Sequence, residues 1–329
     1  MTGLTLGRMK CVCAGQTLDN AAYPCLRPGT GSTPSGCGTA ILASVSTTGA
    51  LLRTSHPVPG GVVTVLVTLL AVIAGHGPVG VVGVAAAVLT GQLSIGWLND
   101  LLDASRDVAA QRVDKPLASG ELSAEVVRRA LVLATAACVP LSFALGAKAG
   151  ATHLLVVASG WAYDLGLKAT VVSWLPYALA FGALPAVVTF ALPGSPAVAA
   201  WVAIATALLG VGAHFLNVVP DIDADRRAGV RGLPQRLGAR GSRAAGAANL
   251  AMACVVLTRG PSSGAGPTAP LGGGLTMASG AVLGLALTLA AGAALLRSRP
   301  GSRAPFLCAL AVPALALVLL VLRGGNLTA

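Results

Sequence analysis

Nine long apolar segments, separated by short polar connections, dominate the chain after residue 50. Their approximate bounds are 59–76, 79–99, 124–146, 149–165, 173–192, 197–219, 241–258, 273–296 and 304–322. Most approach the roughly 20 residues that a helix needs to cross about 30 Å of hydrocarbon, although the fourth and seventh are short. The pattern predicts an all-α polytopic membrane bundle of nine transmembrane helices within a domain at 51–322.

The two ends of the chain lack this pattern. Residues 1–50 contain no sustained apolar run, and we expect them to form a disordered cytoplasmic N-terminal tail. Their four cysteines match no spacing typical of a metal site. Residues 323–329 are expected to form a short C-terminal tail.

Composition supports a membrane protein. The chain has 329 residues, of which 55% are hydrophobic and 10% are charged, whereas soluble domains carry about 25% charged residues. The net charge of +11 could suggest nucleic acid. In a membrane protein, loop cations that set topology explain it better, so no nucleic-acid partner is expected.

The charges are distributed unequally between the two predicted membrane faces. The N-terminal tail and the connections after segments two, four, six and eight hold 19 of the 22 Lys and Arg residues, while Lys148, Arg259 and Arg323 fall on the other face. This asymmetry places the first face in the cytoplasm. All 11 acids fall there too. Because acids contribute little to topology, their one-sidedness indicates a cytoplasmic reaction site. The 18 Arg to four Lys hint at a high-GC bacterial genome and hence at the plasma membrane.

A cluster of acids ends the second apolar segment. Asn99, Asp103 and Asp107 are spaced by four, so on a helix they share one face, and Asp100 lies at the edge of that patch. Carboxylates crowded in this way repel each other unless a cation lies between them. A hard divalent cation, Mg²⁺, is the simplest explanation.

The same spacing recurs after the sixth segment. Asn217, Asp221 and Asp225 repeat it at an offset of 118 residues and four segments, and Pro116 and Pro234 each follow nine residues after the last Asp. An even number of spans puts both motifs on one membrane face. The match predicts a duplicated unit of four helices, with the ninth helix added.

Two facing acid clusters suit Mg²⁺ ions that hold a diphosphate leaving group. Nearby cations complete such a clamp, since Arg gives bidentate contacts and Lys a point charge. The candidates are Arg112, Lys115, Lys168, Arg227 and Arg231. The apolar bundle would accept an isoprenoid tail.

Each candidate also has an ordinary structural explanation. A cytoplasmic Asp near an Arg is usually a solvated ion pair, and Asp223 would point away from the helix face shared by its neighbours. His214 is more often a packed interfacial histidine than a base. Tyr163 and Lys168 could form an interfacial belt and anchor, or contact diphosphate or substrate.

The motifs together resemble the UbiA superfamily of intramembrane prenyltransferases, in its bacterial, actinobacterial-like form. The resemblance covers about residues 50–322. It rests on four elements: N-D-x-x-D-x-x-x-D at Asn99, Asp100, Asp103 and Asp107; R-x-x-K/R-P-x-x-x-G at Arg112, Lys115, Pro116 and Gly120; a tyrosine-to-lysine motif at Tyr163 and Lys168; and D-x-x-x-D at Asp221 and Asp225, followed by Leu233-Pro234.

The resemblance implies a nine-helix fold and an Mg²⁺-dependent transferase. Together with the two clusters it gives three sets of expected site residues. Expected catalytic residues are Asp103, Asp107, Asp221, Asp225 and Tyr163; expected Mg²⁺ ligands are Asp100, Asp103, Asp107, Asp221 and Asp225; expected diphosphate-binding residues are Asn99, Arg112, Lys115, Lys168, Asn217 and Arg231.

The expected reaction moves a prenyl group from a prenyl diphosphate to an aromatic or lipid-like acceptor: the C–O bond ionises to an allylic cation and diphosphate, the acceptor attacks C1, and loss of a proton from the acceptor completes the transfer. A terpene cyclase without an acceptor would use the same apparatus. With 4% aromatic residues, the chain offers little cation–π help to a travelling cation, which favours transfer. A transporter is disfavoured, because the segment interiors carry almost no ionisable groups. Acceptor identity, prenyl chain length and oligomeric state stay open.

Overall fold

A computed structural model describes residues 47–259, 277–295, 304–322 and 327–328. Its α-helices, numbered in chain order, are α1 (Thr47–Thr54), α2 (Pro57–Ile73), α3 (Pro78–Ala109), α4 (Ala124–Ala144), α5 (Ala147–Leu165), α6 (Leu175–Phe190), α7 (Ala200–Val218), α8 (Ile222–Arg227), α9 (Leu233–Arg259), α10 (Met277–Leu295) and α11 (Ala304–Leu322). Two 3₁₀ turns cover Leu167–Ala169 and Val219–Asp221.

The described part is all-helical, as the sequence predicts, and each of the nine apolar segments overlaps one of these helices. Within the described ranges, three stretches are long and apolar enough to cross a membrane, namely Pro78–Ala109, Ala124–Ala144 and Ala200–Arg227. A fourth exists if α1 and α2, which are bent by 74°, count as one span. A bundle of nine transmembrane helices is therefore not confirmed, and the number of spans stays a prediction.

The predicted N-terminal tail lies outside the described residues except at its end. Residues 47–50, which we expected to belong to the tail, form the beginning of α1. Ala50 is buried there, in a small core with Trp97 and Val127. The helical domain therefore begins a few residues earlier than the hydrophobic pattern indicates.

Besides this small core, the long helices pack around two larger cores. Helix α3 contacts α2, α4 and α5, while α7 contacts α6, α9 and α11. Leu216 and Leu250 join α7 to α9 in one core, and Val84 and Val187 belong to the other. Helix α11 also contacts α2, so the C-terminal helix packs against the beginning of the bundle.

Helix ends explain where polar groups appear. Helix α3 runs ten residues beyond the predicted end of the second apolar segment, so the first acid motif is helical. Pro220 follows the last turn of α7, and the second motif continues through a 3₁₀ turn into α8. A loop joins α8 to α9, and α9 is kinked at Gly238, where φ is +72°.

Candidate functional site

The first acid motif occupies the C-terminal turns of α3. Asp100 is 1% exposed, and its Oδ1 lies 2.6 Å from Lys115 Nζ and 2.9 Å from His56 Nε2. His56 sits between α1 and α2, and a Cβ at Gly96 would clash with the Ser55 carbonyl. Glycine at this position therefore lets the α1–α2 junction pack on α3, one turn before Asp100, and brings His56 to the carboxylate.

Asp103 is held from two sides. Lys168 Nζ donates to both carboxylate oxygens, at 2.8 and 2.9 Å, and Arg106 Nη1 lies 3.1 Å from Oδ1. Lys168 belongs to the 3₁₀ turn that follows α5. The structure thus brings together Asp103 and Lys168, two predicted site residues that lie 65 positions apart.

Asn99 contacts an acid that the motif analysis missed. Its Nδ2 donates to Asp164 Oδ1 at 2.8 Å. Asp164 is 6% exposed, and its Oδ2 has no hydrogen-bond partner among the described residues. The signal was present in the sequence, because an ionisable residue at the end of an apolar segment is a functional candidate in its own right.

The second motif crosses a break in the helix. Asn217 lies in the last turn of α7, Asp221 ends the 3₁₀ turn and Asp225 lies in α8. Gln235 Nε2 donates to Asp225 Oδ2 at 2.8 Å. Asn217 interacts with the hydroxyl of Tyr177 on α6. The predicted single helical face is therefore interrupted at Pro220.

Basic residues connect the two motifs. Arg112 interacts electrostatically with Asp107 of the first motif and with Asp221 of the second. Arg106 and Lys168, both paired with Asp103, also act on Asp225. The two acid clusters thus lie within electrostatic reach of one another and share the same cations.

Backbone packing reinforces this arrangement. A Cβ at Gly232 would clash with the Lys168 carbonyl, so the loop before α9 packs directly on the turn that carries Lys168. Leu233 N–H donates to the Thr170 carbonyl at 3.2 Å in the same region. The second half of the chain therefore supports a basic residue that pairs with the first motif.

The remaining predicted cations lie at the rim. Arg112 makes a bidentate pair with Asp114, with both N–O distances 3.0 Å, and this pairing lowers the pKa of Asp114 below its ordinary value. Arg231 is exposed and lines a concave region of about 460 Å³ with Arg226, Val230, Gln235 and Arg236. Arg227 and Asp223 are exposed in α8.

Aromatic rings gather beside the acid clusters. The Tyr163 and Tyr177 ring centroids are 5.2 Å apart, and His214 lies 5.6 and 4.7 Å from them. Phe181 stacks on Tyr177 at 6.1 Å, and Phe215 lies 5.5 Å from His214. The expectation of weak cation–π support rested on overall composition, and it does not hold at this place, where four of the twelve Phe, Trp and Tyr residues of the chain lie together.

This chain shares its sequence pattern with a known protein family. The sequence model of the UbiA prenyltransferase family matches residues 61–323. The chain belongs to this family. No curated protein sequence matches it.

Solved structures share the UbiA fold. An apo UbiA homolog from Aeropyrum pernix K1 is 20% identical, with 84% of this chain and 98% of that chain covered and a TM-score of 0.59. A UbiA homolog from Archaeoglobus fulgidus bound to GPP and Mg²⁺ is 16% identical, with 83% and 99% covered and a TM-score of 0.59. A digeranylgeranylglyceryl phosphate synthase is 14% identical, with 86% and 99% covered and a TM-score of 0.57.

The donor set fits a hard divalent cation in its chemistry. The side-chain carboxylates of Asp107 and Asp221, one from each cluster, make no hydrogen bond or ion pair with any residue in the described ranges. Such carboxylates are the ligands that Mg²⁺ prefers. The described residues contain no group of three or more His, Cys, Asp or Glu side chains close enough to form a closed metal site. The metal roles of the five aspartates accordingly stay predictions.

Proposed function

We propose that this UbiA family member is an Mg²⁺-dependent prenyltransferase that moves a prenyl group from a prenyl diphosphate to an aromatic or lipid-like acceptor. The observation that carries the proposal is the pair of acid clusters with shared cations. Arg112 interacts electrostatically with Asp107 and Asp221. Lys168 forms an ion pair with Asp103 and interacts electrostatically with Asp225. A diphosphate suits this arrangement, because the carboxylates bind it through Mg²⁺ while the Lys and Arg side chains bind it directly.

Asp107 and Asp221 are the first candidates to hold Mg²⁺, with Asp103 and Asp225 beside them. When bound, the ion supplies Lewis-acid neutralisation of the diphosphate oxygens. Lys168, which pairs with Asp103 in the structure, would bind the departing diphosphate as a point charge, and Arg112 would add a bidentate donor. Asp100, already held by Lys115 and His56, anchors the end of α3.

Tyr163 and the aromatic rings around it lie next to Asp164, between the acid clusters and the apolar helices. We propose that the allylic end of the donor sits here while its tail extends among the helices. The reaction site would face the cytoplasm of a bacterial plasma membrane, as the distribution of Lys and Arg indicates.

The relatives support the donor class and leave the acceptor open. The Archaeoglobus homologs are described as bound to GPP or DMAPP with Mg²⁺. The digeranylgeranylglyceryl phosphate synthase, by its name, makes a lipid glycerol phosphate. We therefore propose that this chain also uses a prenyl diphosphate donor and Mg²⁺.

The test is diphosphate release from geranyl diphosphate by the purified protein in lipid nanodiscs, supplied in turn with aromatic and lipid-like acceptors, with and without Mg²⁺. We expect Mg²⁺-dependent release that is lost in Asp103→Ala and in Asp221→Ala, and retained in Asp223→Ala. Full turnover in both of the first two variants would reject the assignment.

The aromatic cluster supports a second candidate, a terpene cyclase that uses the donor alone. Tyr163, Tyr177 and Phe181 offer π faces that could stabilise a travelling cation. Product analysis separates the two activities. A cyclic hydrocarbon formed from the prenyl diphosphate without acceptor supports the cyclase, and a prenylated acceptor supports the transferase.

A further inference from the structure

Two buried histidines in the bundle differ in how their ring nitrogens are satisfied. His153 on α5 and His214 on α7 are each 1% exposed. His153 Nδ1 lies 2.7 Å from Ser142 Oγ. His214 Nε2 lies 3.2 Å from Ser173 Oγ, but its Nδ1 has no hydrogen-bond partner among the described residues. A buried polar nitrogen left unpaired costs free energy, so it calls for a ligand.

The hydrogen bonds around Ser173 allow a tautomer of His214 to be assigned. The Leu233 backbone N–H donates to Ser173 Oγ at 3.3 Å. Ser173 has one hydroxyl hydrogen, and we assign it to the hydrogen bond with His214 Nε2, which leaves the neutral ring protonated at Nδ1. In this tautomer the unpaired atom is a hydrogen-bond donor that requires an oxygen or nitrogen acceptor.

The position of this donor limits what can fill it. His214 precedes Asn217 by one helical turn and contacts the rings of Tyr163 and Tyr177. It thus lies on the apolar side of the second acid cluster. A prenyl chain carries no atom that accepts a hydrogen bond, so the donor tail leaves His214 unsatisfied.

The charged groups beside the rings are already assigned to the donor. Asp103, Asp164 and Asp225 act electrostatically on Tyr163, and Asp103 and Asp225 are among the proposed Mg²⁺ ligands. Lys168, which pairs with Asp103, is proposed to bind the diphosphate. An acceptor that is an uncharged ring with a hydroxyl or carbonyl oxygen needs no cation beyond those that the diphosphate uses.

We propose that His214 contacts the acceptor substrate and donates a hydrogen bond from Nδ1 to the oxygen of an uncharged aromatic acceptor packed against Tyr163 and Tyr177. This inference rests on the proposed transferase function and names the acceptor class of that site. His214 thereby becomes a specificity-determining residue in addition to the motif residues.

The test measures saturable binding of 1-naphthol to the full-length protein in phosphatidylcholine nanodiscs by equilibrium dialysis. We expect His214→Phe, which keeps an aromatic ring but lacks a donor, to bind at least tenfold more weakly than wild type. His214→Gln, which restores a donor, should recover part of the affinity. His153→Phe is the matched control, because it alters an equally buried histidine that is hydrogen-bonded to Ser142, and it should bind like wild type.

Equal affinity of wild type and His214→Phe overturns the inference, as does the absence of saturable naphthol binding to wild type. Failure of His214→Gln to improve on His214→Phe also contradicts it, since a purely packing role predicts that result. Diphosphate release from geranyl diphosphate is measured on the same preparations. Release without naphthol binding rejects only this inference, and naphthol binding without release rejects the proposed function.

Discussion

The two acid motifs have the same spacing in the sequence but different partners in the structure. In the first, Asp100 is buried against Lys115 and His56, and Asp103 is held by Lys168 and Arg106. In the second, Asp221 makes no ion pair within the described ranges, and Asp225 accepts one hydrogen bond from the neutral Gln235. A repeated spacing therefore fixes where carboxylates stand along the chain, whereas loops and helices elsewhere decide how each one is neutralised.

The difference separates structural from chemical roles. A carboxylate paired with a cation contributes to holding the bundle together, while one without a side-chain partner is free to bind a ligand, and where it is buried its charge is costly until the ligand arrives. Among the motif aspartates in the described structure, half-buried Asp107 and exposed Asp221 have no side-chain hydrogen bond or ion pair, and both act on Arg112. We call these two acids unbalanced. We infer that the aspartates within one motif differ from each other in function, in addition to the difference between the two motifs.

Removing an unbalanced acid should have the largest effect on activity. We expect Asp221→Asn to lower diphosphate release by about 10²–10³-fold, the usual cost of one lost electrostatic group in an active site. Thermal stability should not fall, because no ion pair is broken. The assay is Mg²⁺-dependent release from geranyl diphosphate, followed by thermal unfolding of the same samples.

Asp223→Asn provides the control for this variant, since Asp223 is exposed two residues away in the chain. It should release diphosphate at nearly the wild-type rate. Comparable losses in both variants would mean that the whole acidic stretch acts through its net charge, and the comparison between balanced and unbalanced acids would fail.

Removing a balancing cation should affect both activity and stability. We expect Lys168→Met to lower activity by about 10²-fold. Because Lys168 and Asp103 are only 13% and 18% exposed, breaking their pair should also cost about 2 kcal/mol of unfolding free energy. Chemical denaturation in detergent micelles measures the second effect.

The double variant Lys168→Met with Asp103→Asn sharpens this result. It removes both charges of the pair, so stability should recover while activity should not. If the stability of the double variant does not recover, Lys168 stabilises the fold through packing of its aliphatic stem against the turn after α5.

The sequence predicted the all-helical fold class and a set of site residues, and it failed where contacts depend on packing. Spacing alone selected Asn99 and Asp103, while Lys168 was chosen as a cation at the end of a segment and as part of a family motif; the structure pairs Lys168 with Asp103. The roles of these residues stay predictions. The sequence could not assign His56 to Asp100, because that contact depends on the close approach that Gly96 allows. Composition also misled, since a total aromatic content says nothing about where a fold gathers its rings.

A balanced acid should matter less for metal binding than the resemblance suggests. We expect Asp100→Asn to lower activity by about tenfold, the effect of disturbing a group that positions others. It should destabilise the protein by about 2 kcal/mol, since Lys115 and His56 lose their carboxylate partner. The decisive measurement is the Mg²⁺ concentration that gives half-maximal activity, which should stay unchanged.

A large rise in that Mg²⁺ requirement would make Asp100 a metal ligand, as the motif alone predicts. Asp107→Asn is the matched comparison, because Asp107 lies on the same helix without an ion-pair partner in the described structure. Its Mg²⁺ requirement should rise at least tenfold if the unbalanced acids are the ones that bind the ion.

The smallest effect is expected at the rim, where Asp114 orients Arg112. Asp114→Asn should raise the KM for geranyl diphosphate about threefold without changing kcat, because the bidentate pair sets the direction of an exposed guanidinium and contributes below about 1 kcal/mol. Since the pKa of Asp114 is lowered by Arg112, the pair contributes above the ordinary carboxyl pKa and is lost as the pH falls through the lowered value. The KM difference between wild type and variant should therefore be constant near neutral pH. Arg112→Ala should give the larger increase in the KM for geranyl diphosphate. An equal increase in Asp114→Asn would indicate that Asp114, not Arg112, contacts the substrate at the acid clusters.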